Sequence, residues 1–221
     1  MALGTPVAIN MITTASGSYT YFKHHLIYFD IALTTGIVGG IASIAGARLT
    51  TFFSGKQMMF IFCGFLIVLG ILLIFREEQM ESEEKKTHQE IKKTVQHPIK
   101  KSLVLGLIIG FISGFLGLGG GFLMVPLFMF WFEIESHHAV ATSLLAAMII
   151  SLPNAITHYF LGHVDLMLVG LCGIGAVIGS QIGSRTVLKI KGKTLRWTVI
   201  ASYFILSIAL IAFELFNQGL A

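Results

Sequence analysis

The chain has 221 residues, 55% of them hydrophobic and only 12% charged, with a formal net charge of +4. An ordinary soluble domain carries roughly 25% charged residues, and one this apolar has no means of covering its surface, so a soluble fold is excluded. The pI near 9.1 does not indicate nucleic acid, because the basic residues lie in loops between apolar stretches, where they act as orientation signals.

A bilayer core of ~30 Å takes about 20 apolar residues per helix, and such stretches follow one another along the chain. Residues 1–22 carry no charge. They lack a basic start and hold Gly4, Pro6 and Asn10 where a secretory signal needs an unbroken apolar core. Apolar runs follow at 30–47 and 58–75, the second ended by Arg76-Glu77-Glu78. Residues 76–101 contain seven basic and six acidic side chains, half of all the Lys, Arg, Asp and Glu present. This stretch reads as a solvated linker. Beyond it come apolar segments at 102–132, 139–161, 166–182 and 197–216.

The two sides of the linker are related. An ungapped shift of 137 residues places Thr5 on Thr142, Met11-Ile12 on Met148-Ile149, Gly36 on Gly173 and Ser43 on Ser180. It continues with Gly46 on Gly183, Arg48 on Arg185 and Gly55-Lys56 on Gly192-Lys193. Apolar coincidences are cheap in such a chain, but these glycines and basic residues interrupt the apolar background. The pattern predicts an all-α integral membrane protein of two repeated units, residues 1–75 and 102–221, joined by the 76–101 linker. The second unit opens with 102–132, whose counterpart would precede Met1, so the first unit is expected to lack its first segment, lost or lying upstream.

Segment 102–132 is too long for one upright span and too short for two, which would need roughly 40 residues. Gly117-Leu118-Gly119-Gly120-Gly121 sits in its middle, with Pro126 following. A broken or re-entrant helix pair fits, since glycine permits chain reversal and close backbone contact. If this segment returns to its entry side, the units are inverted, and a cytoplasmic linker places 13 of the 15 Lys and Arg inside, leaving Arg48 and Lys56 outside. A full crossing gives parallel units and a split of eight to seven. The excess of basic residues on cytoplasmic loops favours inversion, an arrangement common among transporters.

Two glycine stripes, Gly106-Gly110-Gly114 and Gly175-Gly179-Gly183, have the four-residue spacing of close helix packing. Gly119, Gly120 and Gly121 read either as packing or as a half-helix start whose free N–H groups and positive dipole end suit an anion. Thr142, Ser143, Asn154 and His158 lie along one span, and Asn154 and His158, four apart, share a face. Hydroxyls in such helices usually satisfy backbone carbonyls. An unpaired amide or imidazole in hydrocarbon is costly and more often serves a polar cavity. His158 suits an anion site or a proton-coupled step. Thr5 and Asn10 begin a comparable polar stretch in the first unit. Asp30 and Asp165 read as helix N-caps, His24-His25 and His137-His138 as interfacial anchors, and Cys63 and Cys172 as small buried hydrophobes. No nucleotide fingerprint, nucleophile–base pair or metal cluster is evident, so neither enzyme, cofactor nor metal is expected.

The run Gly114-Phe115-Leu116-Gly117-Leu118-Gly119-Gly120-Gly121-Phe122-Leu123-Met124-Val125-Pro126 resembles the TauE/SafE (sulfite exporter, or toluene-sulfonate uptake permease) family. His138-Ala139-Val140-Ala141-Thr142-Ser143, Gly162-His163-Val164-Asp165 and Gly179-Ser180-Gln181-Ile182-Gly183-Ser184-Arg185 extend the resemblance. It covers the second half fully and the first from about Gly4. The resemblance implies seven or eight membrane segments arising by duplication, and transport of small sulfur-containing or organic anions such as sulfite, sulfonates or sulfoacetate.

The expected function is thus a permease or exporter of a small anion in a bacterial inner or plasma membrane. The alternative is a non-transporting membrane scaffold or a truncated remnant of such a transporter. The substrate site is expected at Gly119, Gly120, Gly121, Thr142, Ser143, Asn154, His158, Thr5 and Asn10. The expected partners are that anion and the lipid bilayer, with proton coupling and homo-oligomerisation both compatible with the pattern, and no nucleic acid.

Overall fold

A computed structural model describes residues 4–53, 55–83, 98–116 and 121–219. The described residues form eight α-helices: α1 Gly4–Lys23, α2 Phe29–Leu49, α3 Gly55–Glu83, α4 Pro98–Leu116, α5 Gly121–Phe132, α6 Ser136–Phe160, α7 Leu166–Val187 and α8 Gly192–Gly219. A 3₁₀ turn, Thr50–Phe52, follows α2. The all-α membrane fold expected from the sequence is present: α2, α3, α4, α6, α7 and α8 are long and apolar enough to cross a membrane.

α1 is the polar exception, and its environment explains how it persists. It packs against α6 and α7. Thr13 donates to the Ile9 carbonyl at 2.8 Å and Thr14 to the Asn10 carbonyl at 2.7 Å, satisfying these hydroxyls within their own helix. From α7, Ser180 donates to the Thr13 carbonyl and Gln181 to the Ser16 carbonyl. Thr20 in turn donates to Gln181 Oε1 at 3.0 Å.

Contacts along the helices give their directions. Gly4 lies against His158, Asn10 bonds Ser151 and Gly17 meets Leu144, so α1 and α6 run antiparallel. α2 runs parallel to α6, through Gly36 on Ile149 and Gly40 on Pro153. α7 runs parallel to α1, through Gly173 on Ile12 and Gln181 on Ser16.

The first glycine stripe closes the α2–α4 interface, as its spacing predicts. A Cβ on Gly106 would press on the Thr35 backbone, one on Gly110 would overlap the Gly39 backbone, and one on Gly114 the Ser43 carbonyl. The steady offset makes α4 parallel to α2. The second stripe, Gly175-Gly179-Gly183, has no such partner: a Cβ on each would meet nothing within 4 Å. Cys172 beside it is exposed, against the expectation of a buried thiol, whereas Cys63 is buried.

The long apolar segment divides into α4 and α5, on either side of residues 117–120, which lie outside the described residues. α5 starts at half-height, where Gly121 faces Ala147 of α6 and Thr14 of α1. From there Met124, Phe128 and Phe132 enter the core with Tyr21, Ile31 and Ile150.

One end of the bundle collects the α1 C-terminus and the starts of α2, α4 and α6 with the α7 C-terminus. His138 Nδ1 lies 2.8 Å from the Leu26 carbonyl there, and His137 Nε2 lies 2.9 Å from the Ile190 carbonyl. This end carries Lys23, Lys100, Lys101, Arg185, Lys189 and Lys191, while Arg48 lies at the opposite end of α2. The described helices run into the predicted linker from both sides, α3 reaching Glu83 and α4 starting at Pro98.

Candidate substrate-binding site

α1 and α6 pack together and both bury polar side chains, among them Thr14, Ser18, Ser151, Asn154 and His158. Neither helix carries an acidic residue, and the basic residue of α1 is Lys23 in its last turn. Small residues bring the two backbones together at the end opposite Lys23. A Cβ on Gly4 would lie 2.9 Å from His158 Cβ and 2.7 Å from the His163 carbonyl, so glycine is what allows this approach.

Asn154 is fully buried, and neither its amide nitrogen nor its amide oxygen has a hydrogen-bond partner. His158, one turn on, is also fully buried with Nε2 unpartnered. Its Nδ1 lies 3.4 Å from Nδ1 of His163. With His163 as the donor, the neutral His158 carries its proton on Nε2 and presents a donor. Across the seam Asn10 donates to Ser151 Oγ at 3.1 Å. Buried polar atoms are nearly always paired; these two adjacent side chains hold three unpartnered atoms, where Ser18, Thr35, Ser102, Ser113 and Ser136 have one each.

Gly121 of α5 lies further along α6: it faces Ala147, seven residues before Asn154 and about 10 Å away along that helix at ~1.5 Å per residue. The first N–H groups of α5 have no partner within the helix, and its dipole is positive at that end. Gly119 and Gly120 lie outside the described residues.

Thr5, Thr142 and Ser143 have other occupations. Thr142 Oγ1 accepts the Tyr28 N–H at 3.1 Å, and Thr5 Oγ1 accepts the Asp165 N–H at 2.9 Å. Ser143 donates to the Val140 carbonyl. Thr142 and His158 are sixteen residues apart on α6, about 24 Å at ~1.5 Å per residue, so one small solute does not touch both. Thr5 lies at the His158 end; Thr142 and Ser143 lie at the other.

Asp165 caps α7 as expected, accepting from Met167 and Leu168 N–H groups. Asp30 does not cap α2. That helix starts at Phe29, which places Asp30 in its first turn, and the N-cap is Tyr28, which has no side-chain cap bond. The hydroxyl of Thr142 takes the Tyr28 N–H instead. His137 and His138 are more than interfacial anchors, since they reach the Ile190 and Leu26 carbonyls in the connections after α7 and after α1. Ser151 and His163 are the polar partners that sequence reasoning missed. Ser151 lies three residues before Asn154 and seven before His158, on the same helix face.

Six helices long and apolar enough to cross a membrane, with uncharged polar side chains buried between α1 and α6, make this a multi-pass helical membrane protein. The profile of the family described as Sulfite exporter TauE/SafE matches residues 1–210. The chain belongs to the TauE/SafE family of membrane transporters. It is 26% identical over 205 residues to the "Probable membrane transporter protein YunE" of Bacillus subtilis (strain 168), covering 88% of this chain and 74% of that one. It is 25% identical over 185 residues to "Probable membrane transporter protein YdhB" of the same strain, covering 83% and 73%. A "Probable membrane transporter protein" of Xylella fastidiosa (strain 9a5c) is 23% identical over 185 residues, covering 83% and 68%. No solved structure matches the chain.

Proposed function

We propose that this chain moves a small sulfur-containing or organic anion, of the sulfite, sulfonate or sulfoacetate kind, along the α1–α6 seam. The observation that carries the reading is Asn154, buried with both amide atoms unpartnered. With His158 Nε2, Ser151 and the start of α5, it offers neutral donors and a dipole to an anion, with no carboxylate on α1 or α6 to repel it. Thr5 and Asn10 contribute from the first unit, Thr5 also fixing the loop before α7. In this reading His158, the titratable side chain buried on α6, takes the proton-coupled step.

The reading includes two inverted units. In its favour, α2 and α7 start at Phe29 and Leu166, and α3 and α8 at Gly55 and Gly192, each pair 137 residues apart. The interactions exchange as a two-fold axis requires. Tyr28 N–H to Thr142 becomes Asp165 N–H to Thr5, and Gly36 on Ile149 becomes Gly173 on Ile12. Equivalent helices α1 and α6 run antiparallel, which is the signature of inversion rather than parallel duplication. With the basic end cytoplasmic, reporter domains fused within residues 84–97 and after Gly192 report the same side; opposite sides would sink the inverted arrangement.

Purified chain reconstituted in proteoliposomes is expected to show saturable uptake of radiolabelled sulfite or a simple alkyl sulfonate. Movement of none of a panel of sulfite, sulfonates and carboxylates would overturn the transport reading and leave a membrane scaffold.

A further inference from the structure

We propose that the face of α7 formed by Cys172, Gly175, Gly179 and Gly183 is the seat of a further membrane helix, additional to residues 4–219 and of the same chemistry as α4: apolar, with glycine at every fourth position.

The starting point is an asymmetry between two equivalent helices. α2 and α7 correspond at an offset of 137, and the reciprocal contacts already described show the same offset in space. On α2, the face made by Thr35, Val38, Gly39 and Gly46 is covered by α4. Thr35 is fully buried, and a Cβ on Gly46 would overlap the Phe111 carbonyl. At the same offset these four positions become Cys172, Gly175, Ala176 and Gly183 on α7. There Cys172, Gly175 and Gly183 are exposed and Ala176 is half-buried. Only 6% of the apolar α7 window is buried, against 44% for α2.

The opposite side of α7 is accounted for. Gly173 meets Ile12, and Ser180 and Gln181 bond to α1. The bare side is therefore not a helix detached from the bundle but one face of a docked helix. A lipid-facing surface has no use for glycines at Gly175, Gly179 and Gly183, whereas a close-packed helix partner does. The steps from Cys172 through Gly175 and Gly179 to Gly183 are three, four and four residues, which keeps them in one stripe. α4 shows what fits such a stripe, since Gly106, Gly110 and Gly114 meet α2 backbone to backbone. The relatives described above also extend beyond their matched portions by more than one helix of about 20 residues.

The register of the known interface supplies the test. Gly106 of α4 sits on Thr35, whose counterpart on α7 is Cys172. The full chain carrying Cys63→Ala, so that Cys172 is its sole thiol, is placed in lipid vesicles with a synthetic peptide of residues 98–116 containing Gly106→Cys. Copper phenanthroline and dioxygen oxidise the two thiols to one disulfide, the two electrons and two protons passing to oxygen. A second peptide with Ile108→Cys puts the thiol at similar depth on the far side of the helix, where Ile108 of α4 is exposed. Peptide incorporation is matched by mass spectrometry of the vesicles.

The expected result is cross-linking to the Gly106→Cys peptide at least tenfold above the Ile108→Cys peptide. Gly179→Leu in the full chain abolishes that preference while leaving the thermal midpoint of the peptide-free chain in place. Equal cross-linking of both peptides, or none, overturns the proposal. So does a Cys172–Cys172 dimer of two full chains that the peptide fails to diminish, which would assign the face to a second copy.

Discussion

Asn154→Leu is expected to fold at least as stably as the parent chain and to lose transport. Asn154 is fully buried and both polar atoms of its amide lack partners. Leaving a buried donor or acceptor unsatisfied costs about 1–3 kcal/mol, whereas an apolar group of similar shape removes that cost. Individual hydrogen bonds within membrane bundles average nearer ~0.6 kcal/mol, so the net gain expected is about 1 kcal/mol. For a chain of this length that corresponds to a rise of roughly 2–4 °C in the thermal midpoint. Transport moves the other way. A hydrogen bond to a charged group contributes about 1.5–3 kcal/mol, so its loss lowers flux at sub-saturating anion by about ten- to a hundredfold. A rise in stability together with a fall in flux is the pattern of a residue retained for function. Measured by thermal unfolding in detergent and by proteoliposome uptake, unchanged flux would remove Asn154 from the site. A midpoint several degrees lower would make it a packing residue.

The membrane class and the helix series were open to sequence reading because both depend on local composition. The run 30–47 lies within α2, 166–182 within α7, and α4 ends at Leu116 while α5 starts at Gly121. The 137-residue offset proposed as a repeat rests on the same local signal, since Gly36, Ser43, Gly46 and their counterparts interrupt an apolar background. Asn154 and His158 stood out because their side chains are expensive in hydrocarbon. Ser151 did not: a serine in an apolar helix ordinarily bonds its own backbone, and its partner Asn10 is 141 residues away. The reading of Asp30 failed for a similar reason. An acidic residue near a helix start suggests a cap, but Thr142 of α6, 114 residues away, accepts the Tyr28 N–H. The clearest limit is in the glycine stripes. Gly106-Gly110-Gly114 and Gly175-Gly179-Gly183 have the same spacing, yet one is pressed against a neighbouring backbone and the other is bare. Spacing reports the capacity for close packing; the partner is decided by tertiary structure.

That contrast yields the largest expected stability effect in the molecule. Gly110→Leu is expected to collapse the α2–α4 pairing, while Gly179→Leu leaves the chain folded. At Gly110 the new Cβ would overlap the carbonyl oxygen, Cα and carbonyl carbon of Gly39. These are backbone atoms of a helix, so no rotamer change relieves the overlap, and α4 must move off α2 as a body. Overpacking in a close-packed interior costs about 1–3 kcal/mol even where side chains can yield. A backbone-on-backbone overlap belongs at or above the top of that range, about a hundredfold in the folding equilibrium. Displacement of α4 also uncovers Thr35, and it loosens Leu105 and Ile109, both buried in the core cluster that α5 shares through Phe128. At Gly179 the Cβ enters open space, and a surface change of this kind usually stays within about 0.5 kcal/mol. Thermal unfolding of the two variants beside the parent chain is the measurement. The expectation is a fall of at least 6 °C, at roughly 2–4 °C per kcal/mol, for Gly110→Leu and little change for Gly179→Leu. Equal falls would mean that α7 packs as α2 does, and equal tolerance would mean that the α2–α4 interface is not what holds α4 in the bundle.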